Sequence, residues 1–392
     1  MKLRHVISGI LLLVQITLLS GCVELLGQRI CTRYDAALDR LEVLLFYDGI
    51  HESEGGYGNG QEDIPEFVAN GDVMFFDWPW HYHRSVIEEK TADPESPPAV
   101  RELGQSILEN VQTHVIGHYY DMDGHIGAAQ LVVFNRASEI VSKINAVFNE
   151  SILSDLSKTE DWPTELWQQM FDTAQRGHQW IALEGQALVV DCPMGQRQWA
   201  CAMATSLREL LTAAGDDPAA RQALVNMAAM ISFYEPRQDR VLLRVGQPDQ
   251  ANVYRLVMRG EVEYNETLED VVVASVPVDL EEQIAAVVLD GAAAEPAVTA
   301  VIAFGPPEVQ VNALLTAAAG NDPDRASKAI AAMANFAERW NEQYVVPPAP
   351  QPMEDTAAYL DTWRQWYCEA STFPAGPIET KPPASTTQPA PE

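Results

Sequence analysis

Positive charge is scarce in this sequence. Its 392 residues carry 25 lysines and arginines against 56 aspartates and glutamates, a net charge of −31. A surface this acidic repels the phosphates of nucleic acids and anionic lipid head groups, which argues against a nucleic-acid partner. Signatures of catalysis are also missing. There is no Gly-x-Ser-x-Gly elbow, no Ser-x-x-Lys set, no Walker loop and no His-Glu-x-x-His pair. Gly56-Tyr57-Gly58-Asn59-Gly60 lacks both the preceding strand and the following helix that a nucleotide site needs. Cysteine is sparse, five in all, with no Cys-x-x-Cys spacing to suggest sulfur-bound zinc. No residue is therefore assigned a catalytic role, and the balance leans away from an enzyme.

What is present begins at the N-terminus. Lys2 and Arg4 precede an apolar run, Val6 to Leu18, that is short for a membrane span. Leu19-Ser20-Gly21-Cys22 closes it, with small residues before the cysteine. This stretch resembles the signal segment of bacterial lipoproteins, whose lipobox is a leucine, two small residues and a cysteine. The resemblance covers residues 1–22 only. It implies diacylglyceryl attachment at Cys22, cleavage just before it, and a mature protein tethered to a membrane outside the cytoplasm. Val23 offers no aspartate of the kind that retains lipoproteins in the inner membrane.

With Cys22 assigned to lipid, Cys31, Cys192, Cys201 and Cys368 remain, an even number in an oxidising compartment. Four cysteines allow three pairings. The favoured one joins Cys192 to Cys201 and ties the ends through Cys31 and Cys368. A short closed loop of the first kind adds roughly 2–3 kcal/mol in the chain-entropy description.

Along the mature chain, apolar and β-branched runs alternate with turn residues and helical periodicities, which predicts an α+β fold of antiparallel hairpins and amphipathic helices. Arg29–Tyr34 and Leu41–Tyr47 flank Asp35-Ala36-Ala37-Leu38-Asp39 as a first hairpin. His51 to Asp63 reads as a glycine-rich loop, and Asp72 to Asp77 as a strand running on towards Trp80. Val100–Val111 has helical spacing. Val115–Tyr120 and Ala128–Phe134 form a hairpin around Asp121-Met122-Asp123-Gly124, followed by a helix from Ala137 to Phe148. Trp180–Leu183 with Ala187–Asp191, and Val241–Val245 with Val253–Met258, read as two more hairpins, and a helix is expected near 199–213.

Leu210–Pro218 echoes Leu314–Pro323: a helix end, a glycine, an aspartate cap and a proline start. Two explanations stand, a duplicated β-plus-helical-hairpin module (178–258 and 260–345) or two turns with the same chemistry. The expected organisation is a signal (1–21), an α+β domain (22–160), a second α+β domain (161–345), a proline linker with a short aromatic helix (346–371) and a Pro/Thr/Ser tail (372–392). The tail is expected to be disordered, having little apolar surface to bury.

Three constellations are candidates for function. His81 with His83, and His114 with His118, have the even spacing that places each pair on one strand face. Were the two strands neighbours, the pairs could hold zinc, with Asp121 or Asp123 nearby and His125 in the same third of the chain. Glu52, Glu54, Glu62 and Asp63 flank the glycine loop as candidate calcium ligands, while Asp121-Met122-Asp123-Gly124 opens like a calcium loop without its closing glutamate. Finally, Phe76, Trp78, Trp80 and Tyr82 would share one face of an extended segment, fit to stack a glycan or receive a partner. Core packing explains such aromatics more often. The resulting expectation is a lipid-anchored envelope protein that binds or scaffolds, with a metal-dependent hydrolase or a carbohydrate binder as alternatives.

Overall fold

The structure, a computed structural model, describes residues 23–52, 72–73, 83–155, 164–184, 187–192, 234–236, 241–245, 254–259, 266–267, 273–274, 276, 279–343, 349–351, 353 and 355–371. The architecture is α+β. Strands β1 (Val23–Asp35) and β2 (Arg40–Glu52) form a long antiparallel hairpin. Its turn is fixed by Asp35 Oδ1, which accepts hydrogen bonds from the Ala37 and Leu38 amides. β2 runs further than its apolar pattern predicted, so His51 and Glu52 belong to the strand rather than to a loop. Near that end Gly49 takes φ +59°, and a Cβ there would lie 2.5 Å from Leu26 Cδ1, so only glycine fits.

Helices α1 (Arg84–Ala92) and α2 (Pro98–Asn110) lead into β3 (Val111–Tyr120), which turns into β4 (Ile126–Asn135) and then α3 (Ala137–Asp155) and α4 (Thr164–Gln175). Proline at the start of α2 places a residue without an amide donor where none is needed. β5 (Ile181–Glu184), β6 (Ala187–Cys192), β7 (Tyr234–Pro236), β8 (Val241–Val245), β9 (Tyr254–Arg259) and β10 (Glu266–Thr267) follow. The chain then becomes helical: α5 (Leu280–Asp290), α6 (Pro296–Phe304), α7 (Pro307–Ala319), α8 (Pro323–Gln343) and α9 (Thr356–Ser371). Asp279 caps α5 by accepting from the Glu282 amide, and Gly291 ends it at φ +70°.

Two sheets result. The larger has the order β3-β4-β2-β1-β9, with β10 pairing the end of β2; the smaller has the order β5-β6-β8-β7. This corrects one sequence expectation. β8 and β9 do not form a hairpin, since β8 pairs β6 and β7 while β9 lies antiparallel to β1. A turn signal between two apolar runs says the chain can reverse there, and it does not choose which strand becomes the neighbour. The expected boundary at 160/161 is also crossed, because β9, β10 and the C-terminal helices complete the sheet begun by residues 23–52.

Both faces of the larger sheet are covered. On one, Leu45, Tyr47, Ile126 and Val132 pack with Ile140 of α3 and with Leu103 and Ile107 of α2. On the other, Cys31, Leu44, Phe46 and Leu131 meet Leu280 and Ile284 of α5, Val301 and Phe304 of α6, and Val309 of α7. A third cluster joins α7, α8 and α9 through Leu315, Met333, Trp363 and Trp366. The aromatic helix expected near the C-terminus is thus part of the body rather than an appendage. Among the described residues no single helix is long and apolar enough to cross a membrane. Of the internal echo, the second copy is a helical hairpin in which α7 ends before Gly320 and α8 starts at Pro323, while 210–218 lies outside the described residues.

Candidate functional site

The most concentrated polar chemistry lies between the larger sheet and α7. Arg29 on β1 and Asp48 on β2 occupy helix-facing positions, beside Cys31 and Phe46 respectively, where the neighbouring side chains are apolar. The guanidinium grips Asp48 in a fork: Nε donates to Oδ2 at 2.8 Å and Nη2 to Oδ1 at 2.6 Å. Its remaining arm, Nη1, donates to Glu308 Oε2 at 2.7 Å, in the first turn of α7. Tyr119 of β3 donates its hydroxyl to Asp48 Oδ1 at 2.6 Å. Phe46 and Tyr119 complete the box, their ring centroids 5.6 and 5.7 Å from the Arg29 guanidinium carbon.

Burial and charge act on these groups in opposite directions. Burial disfavours the Arg29 cation, yet Asp48 and Glu308 hold it protonated above its ordinary value. Burial pushes the Tyr119 phenol up, and the adjacent Asp48 charge pushes it further. Burial also raises Glu308, helped by repulsion from Asp48 and Asp121, although Arg29 and the Met122 amide oppose the shift. Three carboxylates therefore surround one guanidinium, and Glu308 is the one that holds a proton most readily.

Glu308 leads on to the β3–β4 turn. Asp121 Oδ1 accepts from the amides of Asp123 and His125, and Asp121 Oδ2 lies 3.0 Å from His125 Nδ1. Gly124 sits at φ +87°, closing the reversal. Asp121, Asp123 and His125 each offer a ligand atom, all within 4.8 Å of one another. They are the described residues best placed to hold a divalent cation, while the same hydrogen bonds also serve the turn. Next to them Glu281 of α5, itself buried, accepts from the Tyr120 amide at 2.9 Å and from Asn312 Nδ2 at 2.7 Å. Burial raises its carboxyl, and these two hydrogen bonds offset only part of the effect.

The histidines expected to converge do not all do so. His114 and His118 are an even number apart, but β3 contains a bulge between Val115 and Gly117 that puts them on opposite faces. His114 is opposite Leu131 and exposed. His118 is opposite Ala128, buried, with Nδ1 3.3 Å from the Val276 carbonyl. His83 precedes α1, with Nδ1 3.3 Å from Asp72 Oδ2. The aromatic candidates Phe76, Trp78, Trp80 and Tyr82, together with His81, Glu54, Glu62 and Asp63, lie outside the described residues, as does Cys22. Cys31 is completely buried against α5 and α6, and the side chains of Cys192, Cys201 and Cys368 lie outside the description.

Arg29, Asp48, Tyr119 and Glu308 were not singled out by sequence. The signal available was weak: a charged residue at an inward position of each of two pairing strands, Arg29 two residues before Cys31 and Asp48 two after Phe46. No protein-family model matches the chain, and comparison with curated proteins and with solved structures returns no match.

Proposed function

We propose that the mature chain is a lipid-anchored protein of the cell envelope whose α+β body binds or scaffolds other envelope components. One observation carries this reading: β1 starts at Val23, the residue that follows the lipobox cysteine. A signal segment that leads straight into a central strand fits a mature protein beginning at Cys22, with its fold starting at the anchor. The polar cluster is consistent with a structural role. Its guanidinium spends all its described hydrogen bonds on Asp48 and Glu308, joining a strand pair to a helix, and two aromatic rings flank it.

The test is metabolic labelling of the full chain in a lipoprotein-processing bacterium with an alkyne-bearing fatty acid. The wild-type chain acquires label and sediments with membranes, and Cys22→Ala loses both. An unlabelled wild-type chain refutes the anchor. Zinc and calcium content of the purified mature protein separates scaffold from metalloenzyme: stoichiometric metal, lost in Asp121→Asn, would favour the hydrolase reading at a site other than the four histidines.

A further inference from the structure

The strand topology fixes which part of the body adjoins the anchor. Val23 opens β1, and because the larger sheet is antiparallel, the end of β1 that carries Val23 also carries the end of β2, the start of β4 and the end of β3. Val23 is paired with Glu52, and Glu52 is in turn paired with Glu266 of β10. Tyr47 is paired with Ala128, so the β3–β4 turn at 121–125 reaches almost the same level as Glu52. At the other end of β1 lie the β1–β2 turn and the start of α3, joined by Asp39, whose carboxylate accepts from the Ser138 amide and hydroxyl. β1 is 13 residues long, which separates the two ends by about 40 Å. β1 also lies between β2 and β9, so the anchor enters the middle of the sheet end rather than an outer corner.

We infer that the end of the larger sheet bearing the 121–125 turn is a membrane-apposed surface, and that the end bearing Leu38 and Arg136 points away from the bilayer. This rests on the lipid-anchor reading. With no residue between Cys22 and the first strand residue, no linker lets the body swing freely. The partner is a zwitterionic head-group surface, because Asp48, Asp121, Asp123 and Glu308 crowd the anchored end with only Arg29 and His125 beside them. Anionic head groups would repel that surface. The remote end is correspondingly the one open to envelope partners, with Leu38 and Arg136 exposed on it.

The test uses the lipidated full-length protein in phosphatidylcholine vesicles carrying a nitroxide on a fraction of the head groups. A fluorescent amino acid replaces Asp123 in one preparation and Leu38 in another, both exposed positions. The expected result is quenching severalfold stronger at 123 than at 38, with both proteins floating with the vesicles. Equal quenching, or stronger quenching at 38, in floating protein overturns the orientation and leaves the anchor intact. Failure of the lipidated protein to float overturns the anchor and the orientation with it. Should the replacement at 123 disturb the turn, a label at Gly124, which is also exposed and where an added Cβ meets nothing within 4 Å, repeats the measurement.

Discussion

Arg29 and Glu308 stand 279 positions apart in the chain and meet at 2.7 Å, fastening the second position of the α7 helix to a central strand. The bond closes a layer that the apolar contacts alone leave open to sliding. Its two partners are not equivalent. Arg29 serves two carboxylates, so Arg29→Met strands both in a largely dry site and should cost about 3–5 kcal/mol. Glu308→Gln keeps an acceptor for the Met122 amide and removes a charge that Asp48 and Asp121 repel; it should cost no more than about 1 kcal/mol. Urea denaturation of the two variants checks the asymmetry. Equal losses would mean that the charge at Glu308, rather than Arg29, organises the cluster.

The same cluster sets a pH dependence. Glu281 and Glu308 both have carboxyls raised above the ordinary glutamate value, so the folded protein binds their protons more tightly than the unfolded chain does. Their contribution is fully present below the ordinary glutamate value and is lost as pH rises through the raised values. Acidification from neutrality therefore adds stability from these two groups. Asp39 acts in the other direction. Burial alone would raise it, but hydrogen bonds from Ser138 and Tyr34 lower it, and that stability is lost as pH falls through its depressed value. Denaturation midpoints measured down a pH series should show the gain in the wild type and a flatter response in Glu281→Gln with Glu308→Gln. An unchanged slope in that double variant would remove both residues as its source.

The parts of this fold written in nearby residues were legible. Asp35 to Asp39 between two apolar runs specifies the β1–β2 turn, and Asp121 to Gly124 does the same for β3–β4. What was lost depended on distant partners. The bulge before Gly117 adds one residue with no mark in the alternation, yet it reverses His118 relative to His114 and dissolves the four-histidine arrangement. Likewise, the pattern at Tyr254–Arg259 announces a strand but cannot say that β1, more than 200 residues earlier, is its neighbour. The candidate site suffered most. Arg29 and Glu308 each look ordinary until the sheet and α7 are brought together.

Close approach at Gly127 supplies another test. A Cβ there would lie 2.6 Å from the Tyr47 carbonyl oxygen and 2.5 Å from the Tyr119 ring. The ring could move, but the strand carbonyl could not move without disturbing the β2–β4 ladder. Gly127→Ala should therefore destabilise by about 1–3 kcal/mol, the usual cost of overfilling a packed site. It should also displace the Tyr119 hydroxyl from Asp48, visible as a change in tyrosine ultraviolet absorbance. A neutral substitution would show that the strands have more room than the structure gives them.

Asn145 ties the smaller sheet to α3 by imitating a strand neighbour. Its Oδ1 accepts from the Ile181 amide at 2.8 Å, and its Nδ2 donates to the Ile181 carbonyl at 2.7 Å. One turn later Asn149 accepts from the Trp180 indole at 2.7 Å and donates to the His178 carbonyl at 3.0 Å. Asn145 is buried, so in Asn145→Ala water does not readily replace the lost partners, and the two backbone groups of Ile181 are left unsatisfied. That should cost about 1–3 kcal/mol. The loss should be local, because the larger sheet is held by its own ladders and by α5 to α7. Hydrogen exchange should show Ile181 and its neighbours on β5 losing protection while Leu44 and Leu131 keep theirs. Equal loss in both sheets would mean that they unfold as one unit and that Asn145 stabilises the whole body.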